Sequence, residues 1–260
     1  MEVSFMSNAK QIDQLLEGFL KRGLPGCGLK VVQYGNTLYE GYFGVTDIDT
    51  KTPVTKDTLF RQASMSKIPL YTVMMMLYER GKFLLTDPIG DYLPEWKTST
   101  RYDRHPNGYV DIVPTSRPIN IRDVMSMKCG LPYCNSAAPT HDLVMTGMQE
   151  CMQPLWEKGS YTLKEHLSAM SKAPLACDPG THWIYGFSSE LAAGIIEAVC
   201  DKPVNDVFKE MLFDPLGMKD TAAIFPDEQT KNRLVTLYAK DPDGNLVPAM
   251  LPKTTETRLL

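Results

Sequence analysis

Phe60-Arg61-Gln62-Ala63-Ser64-Met65-Ser66-Lys67-Ile68-Pro69 decides how this chain is read. It sets a hydroxyl and an amine three residues apart, where a helix should begin. Residues i and i+3 share a helix face, so Ser64 and Lys67 can point into one cleft. A serine hydroxyl is a poor nucleophile at neutral pH and needs a base, which a neutral lysine amine can supply. The following run, Ile68-Pro69-Leu70-Tyr71-Thr72-Val73-Met74-Met75-Met76-Leu77, is apolar and helical and closes at Gly81. Pro69 fits only the first turn, where its missing N–H does least harm. Ser64 therefore belongs at or just before the helix N-terminus, whose positive end favours an alkoxide and disfavours an ammonium. Burial under the apolar flank pushes the lysine the same way. Spacing alone is not selective. Ser7-Asn8-Ala9-Lys10 repeats it in a polar N-terminal arm. An ordinary N-cap serine and a solvated first-turn lysine would also produce the pair.

With 260 residues and 43% hydrophobic content, the chain can bury a substantial core in one large domain or two lobes. A net charge of −4 leaves no basic footprint, which argues against nucleic-acid binding. No apolar run approaches the roughly 18 residues of a membrane span. The start, Met1-Glu2-Val3-Ser4-Phe5-Met6-Ser7-Asn8, does not read as a signal peptide, so a cytoplasmic location is expected. Cysteines at 27, 129, 134, 151, 177 and 200 form no Cys-x-x-Cys pair, and no histidine stands at zinc spacing. Free buried thiols are expected, with no metal and no cofactor. The 15 methionines, including Met74-Met75-Met76, are read as core packing.

Apolar positions 12, 15, 16, 19 and 20 mark an amphipathic helix over about 9–22. Gly28–Tyr34 and Thr37–Gly44 around Gly35-Asn36 read as an antiparallel hairpin. Asp87–Pro94 is a short helical turn, and the polar stretch 97–118 a long loop. Ile119–Met127 is a short helix, and about 140–172 is helical with interruptions. Ser188–Cys200 is a strong helix with Ser188 as N-cap, and Val204–Leu212 is one more. Leu234–Tyr238 and Gly244–Val247 can form a further hairpin.

Several separated segments together resemble the serine β-lactamase and penicillin-recognising family, in its class C and carboxylesterase branch. Phe60–Lys67 is similar to the family's nucleophile motif. Leu84-Leu85-Thr86-Asp87-Pro88-Ile89-Gly90-Asp91-Tyr92-Leu93-Pro94 is similar to the segment after its first long helix. Ile119–Met125 with Gly130-Leu131-Pro132 resembles its short helix and Ser-Gly-Leu turn, with Cys129 in place of the serine. Asp178-Pro179-Gly180-Thr181-His182-Trp183-Ile184-Tyr185 resembles the approach to the catalytic tyrosine. The helix from Leu191 and Phe213–Thr221 complete an ordered match over about residues 10–225.

The resemblance implies an α+β fold, with an antiparallel sheet packed with helices and a mostly helical lobe. It implies one hydrolase module over 1–260: an N-terminal helix and hairpin at 9–60, a helical lobe with both motifs at 61–225, and a short tail or truncated sheet segment at 226–260. Ser64 becomes the acylated nucleophile, Lys67 a base or proton relay, and Tyr185 the second acid/base group. A tyrosine near pKa 10 needs a neighbouring cation to act at pH 7, and Lys67 is the candidate. The Ser64 backbone N–H would be one oxyanion donor. Phe187, His182 and Trp183 are expected on the substrate-facing wall. The substrate is expected to be a small ester or amide.

Two departures from the family pattern matter. Many members place Asn two residues after the tyrosine, where this chain has Phe187, and losing that amide weakens a β-lactam reading. The family's C-terminal portion also supplies further strands, a third motif and a second oxyanion N–H. Lys253-Thr254-Thr255 lacks the motif's glycine and reads as an exposed tail, so those strands are expected to be missing, through a fragment or a natural truncation. Bare hairpin edges would then favour homo-oligomers. A carboxylesterase is the first reading. A β-lactamase or D-Ala-D-Ala carboxypeptidase is the second, and a non-catalytic scaffold is the rival from another class.

Overall fold

The computed structural model describes residues 2–133, 141–222 and 227–249. Its elements run α1 (Glu2–Lys21), β1 (Gly26–Gln33), β2 (Asn36–Gly44) and α2 (Lys67–Glu79). Then come β3 (Thr100–Arg104), β4 (Val110–Pro114), α3 (Ile121–Met125), α4 (His141–Lys158) and α5 (Leu163–Met170). The last are α6 (Ser188–Cys200), α7 (Val204–Phe208), α8 (Glu228–Lys231), β5 (Tyr238–Lys240) and β6 (Leu246–Pro248). Helices mix with antiparallel strand pairs, an α+β arrangement. The described residues divide into two units, 2–61 with 227–249, and 62–133 with 141–222. Lys253-Thr254-Thr255 and Cys134 lie outside the described residues. Among those described, no helix is long and apolar enough to cross a membrane.

In the first unit β1 and β2 pair antiparallel from Gly26↔Gly44 to Gln33↔Asn36, with an irregularity between Val31 and Val32. The turn falls on Tyr34-Gly35, one residue earlier than expected, because both adopt positive φ (49° and 78°). That is the demand of a two-residue hairpin whose twist matches its strands. The helix α1 lies against β2, where the Tyr39 hydroxyl donates to Asp13 at 2.6 Å. Among the described residues no third strand joins this pair, and Leu29, Val31 and Val32 on β1 are exposed. A late hairpin exists as β5–β6, but its first strand begins at Tyr238, where the expected strand Leu234–Tyr238 ends. The Asp47 carboxylate holds it by accepting from Thr236 Oγ1 at 2.7 Å and the Tyr238 hydroxyl at 3.2 Å. The Thr50 N–H, then Thr236, hold that carboxyl at a pKa of about 2.

The second unit is the helical one. Its core gathers Leu70, Val73, Met74 and Leu77 from α2, Trp96 and Ile119 from the connections, and Leu191, Ile195 and Ile196 from α6. Nearly every residue of α6 from Ser188 to Ile196 is buried, the mark of a helix surrounded by protein. Of the three adjacent methionines, Met74 is buried and Met75 is exposed, as a helix requires. Ser188 begins α6 without capping it; the N-cap position is Phe187 and makes no side-chain cap. The stretch read as a loop at 97–118 contains the β3–β4 hairpin. Its strands carry Arg101, Asp103, Arg104 and Asp111, so alternation was hidden by charge on both faces. Arg101 explains the tolerance: its Nη1 meets Asp103 at 2.8 Å and its Nε meets Asp178 at 2.9 Å.

A half-buried ion pair braces the segment leading to Tyr185. Asn120 caps α3 in a reciprocal box with Asp123, whose carboxylate is 4% exposed. The Arg117 guanidinium closes on that carboxylate with two bonds, 2.6 and 2.8 Å. Gly180 lies against this pair with φ +83°, and a Cβ there would collide with Arg117 Nη2 and press Asp123 Oδ1. Gly180→Ala is therefore expected to cost about 2–4 kcal/mol, combining the left-handed backbone with disturbed charge-assisted hydrogen bonds of a half-buried pair. For a domain of this size that lowers the thermal midpoint by roughly 5–12 °C. A calorimetric scan checks it, and an unchanged midpoint contradicts the bracing role.

Candidate active site

Ser64 lies in a single 3₁₀ turn, Ala63–Ser66, that runs directly into α2 at Lys67. Residue 64 is thus in the first helical turn, where backbone N–H groups lack intrahelical acceptors and can face an oxyanion. Ser64 makes no cap hydrogen bond; the cap position of this turn is Gln62, also without a side-chain bond. Ala63 holds φ +44°, a conformation that costs an L-residue about 1–2 kcal/mol. The Ser66 hydroxyl secures it by donating to the Ala63 carbonyl at 2.6 Å. The Ser66 hydroxyl is thereby engaged in the turn, while that of Ser64 is exposed toward a cavity.

The Lys67 Nζ donates to Ser64 Oγ at 3.3 Å, from a side chain that is 9% exposed. The same Nζ stands 5.1 Å from the Tyr185 ring centroid and 5.5 Å from that of Tyr133. Tyr185 arrives from the other side of the site. The Gly130-Leu131-Pro132 turn pairs with 185–187: Pro132 bridges Gly186 antiparallel, Phe187 N–H donates to the Leu131 carbonyl at 2.9 Å, and Tyr133 N–H donates to the Tyr185 carbonyl at 3.3 Å. Hydrogen bonding with Ser64, then the hydrogen bond and charge of Lys67, hold the Tyr185 phenol below its ordinary value; burial and Glu190 oppose them. Lys67 Nζ thus stands between Ser64 Oγ, 3.3 Å away, and the Tyr185 ring, whose centroid is 5.1 Å away.

The other residues singled out from sequence divide. Phe187 lines the cavity and sets its ring edge-on to Tyr133 at 4.6 Å. His182 is exposed, with Nδ1 3.0 Å from Thr181 Oγ1, and Trp183 is 64% exposed with its ring 6.3 Å from Tyr185. Neither His182 nor Trp183 is among the residues that line the cavity, and the same holds for Tyr185. Cys129, in the place of the family serine, is fully buried, and desolvation pushes its thiol to about 12. It belongs to the core.

Two groups went unnoticed in the sequence. The Tyr133 hydroxyl donates to Glu190 Oε1 at 3.3 Å, and the Ser189 hydroxyl to Oε2 at 3.1 Å. Burial raises the Glu190 carboxyl above the usual range, while Lys67 pulls it back. Glu190 stands five residues after Tyr185 in the first turn of α6, so a polar residue inside an otherwise apolar helix start was the available signal. Its charge opposes ionisation of Tyr185. Glu190→Gln removes that opposition, so the acid limb of the acylation rate against pH should move to lower pH. A limb that stays or moves upward contradicts the coupling.

A cavity of about 730 Å³ opens at Ser64 and Lys67, with walls from α2, α4, α5, α6 and α7. An exposed hydroxyl, a buried amine in contact with it, a phenol held below its ordinary pKa and the Ser64 N–H in a first helical turn can together support nucleophilic acyl transfer.

A family-wide sequence profile described as Beta-lactamase matches residues 12–256. Esterase EstB of Burkholderia gladioli is 25% identical over 217 residues, 82% of this chain and 51% of that protein. The D-alanyl-D-alanine-carboxypeptidase/endopeptidase AmpH of Escherichia coli is 24% identical over 233 residues, 89% of this chain and 54% of that protein. The solved structure of EstCE1, a hydrolase with promiscuous acyltransferase activity, superposes with a TM-score of 0.75 at 24% identity, covering 95% of this chain and 60% of that one. The chain thus spans about half the length of these curated relatives.

Proposed function

Since the chain belongs to the beta-lactamase family, we propose that it is a serine hydrolase that forms an acyl-enzyme on Ser64 and acts on carboxylic esters. What supports this reading is the position of Lys67 Nζ, bonded to Ser64 Oγ at 3.3 Å and 5.1 Å from the Tyr185 ring centroid. Ser64 Oγ attacks the ester carbonyl while its proton passes to the Lys67–Tyr185 pair. The Ser64 N–H faces the oxyanion. Collapse breaks the bond to the alkoxide, which leaves with that proton. Water then attacks the acyl-serine by the reverse relay and releases the acid. Lys67 and Tyr185 share protons as one unit, and a rate profile would report the pair rather than either group.

An ester is favoured over a β-lactam or a peptide by the wall beside the tyrosine. Phe187 offers a ring where an amide would hydrogen-bond a β-lactam side chain, and the cavity beyond is largely apolar. The esterase named among the relatives supports this choice; the carboxypeptidase AmpH supports the alternative. The test compares a chromogenic butyrate ester, a chromogenic cephalosporin and a D-Ala-D-Ala peptide at equal enzyme concentration. Ester kcat/KM should exceed both others by at least about tenfold, the worth of one missing hydrogen bond to a polar substrate. A cephalosporin or peptide turned over faster than the ester overturns the ester reading, and no acylation by any of the three favours a scaffold.

A further inference from the structure

The chamber beyond Ser64 has a wall to which the reaction above gives no task. On α4, Met145, Met148, Gln149, Met152 and Trp156 stand at i, i+3, i+4, i+7 and i+11, one face of a helix, and all five line the cavity. Met148 and Met152 are only 3% and 2% exposed and Met145 is half-buried, while Gln149 and Trp156 on the same face reach solvent. Leu70, Met170 and Phe208, also buried, close the far side. The polar groups Ser64, Lys67 and Glu190 lie among the lining, so the apolar chamber is continuous with the reacting hydroxyl. A volume near 730 Å³ falls within the range of sites for drug-sized ligands. A cavity of that size with apolar walls forfeits packing, which an apolar occupant restores. Unbranched, flexible methionine side chains suit a guest of variable length and shape.

We propose that this chamber is the acyl subsite, and that it selects esters with a long or bulky, uncharged apolar acyl group over acetyl esters. The proposal rests on Ser64 being the acylated nucleophile. In the step concerned, the bond from Ser64 Oγ to the acyl carbon forms as the bond to the alcohol oxygen breaks. The alcohol departs with the serine's proton, and the acyl chain stays in the chamber until water releases it as the acid. An acyl group bearing a carboxylate would meet Glu190 and is disfavoured.

The experiment is a chain-length series of p-nitrophenyl esters, acetyl to dodecanoyl, each below its micelle concentration, with the pre-steady-state burst counting acylated serine. Each buried methylene is worth about fourfold in affinity. With part of that realised, octanoyl should exceed acetyl in kcat/KM by at least about 30-fold. Met148→Trp should cut the octanoyl-to-acetyl ratio at least about tenfold by filling the chamber. Met152→Ala, which enlarges it, should move the optimum toward dodecanoyl and serves if the tryptophan variant does not fold. Bursts of equal size with a flat or falling chain-length profile, or an unchanged optimum in Met152→Ala, overturn the acyl subsite and leave the Ser64 reaction standing. Absence of any burst with every ester overturns the nucleophile reading and this proposal with it.

Discussion

Ser64→Ala is expected to abolish burst acylation and to lower ester turnover by about 10⁴-fold or more, the scale seen when a nucleophile is taken from a unit of cooperating groups. The geometry supports so large an effect. Lys67 is nearly buried and donates to Ser64 Oγ, and hydrogen bonding with that oxygen is the foremost cause that lowers the Tyr185 phenol. Without it the relay has no proton to move. Because the three groups act together, Lys67→Met should cost nearly as much, and the double variant little more. Ser7→Ala supplies the control. It removes the other serine of Ser-x-x-Lys spacing, which lies in α1, and acylation should proceed as in the wild type. Stopped-flow measurement of the p-nitrophenol burst reads all four variants. A burst that survives in Ser64→Ala contradicts the assignment.

Gly186→Ala is the second large effect, and it works without touching a reacting atom. A Cβ at 186 would overlap the Leu131 carbonyl oxygen and crowd Pro132. These are backbone atoms, which cannot swing aside. The bridge between Pro132 and Gly186 must open, and with it the Phe187-to-Leu131 hydrogen bond. Losing that pairing and forcing the backbone apart should cost about 3 kcal/mol or more. Tyr185 and Tyr133 sit on either side of this bridge, so both rings move relative to Lys67. A misplacement of about 1 Å in a catalytic array can cost about 10²-fold. The expected result is a less stable protein that, at a temperature where it remains folded, acylates at least about 100-fold more slowly. Normal acylation in a folded Gly186→Ala protein would show that the bridge does not position Tyr185.

What was legible in the sequence follows from how far apart the cooperating residues lie. Ser64 and Lys67 are three residues apart on one helical turn, and local periodicity with Pro69 placed them. Tyr185 was reached only because its approach, Pro179-Gly180-Thr181, is a recognisable motif; the structure gives that motif a physical reason in the Arg117–Asp123 pair that Gly180 accommodates. Glu190 and Tyr133 escaped because nothing local joins them. They meet across the pairing of 130–133 with 185–187, 57 residues apart in the chain. His182 and Trp183 were read as wall residues from their nearness to Tyr185 along the chain; the Trp183 ring lies 6.3 Å from that of Tyr185, while the apolar cavity is lined by other residues. The methionine face of α4 was invisible, because a helix lining a cavity and a helix lining a core carry the same apolar spacing. The β3–β4 hairpin was concealed by ion pairs that let charged side chains occupy a strand.

The most direct test of the account is the intact mass of the protein after treatment with a fluorophosphonate, followed by peptide mapping of the adduct. This readout registers a single acylation-like event and does not depend on how fast turnover is. One phosphonyl group per chain is expected, carried on Ser64 and lost in Ser64→Ala. No adduct, or an adduct on any other residue, would contradict it.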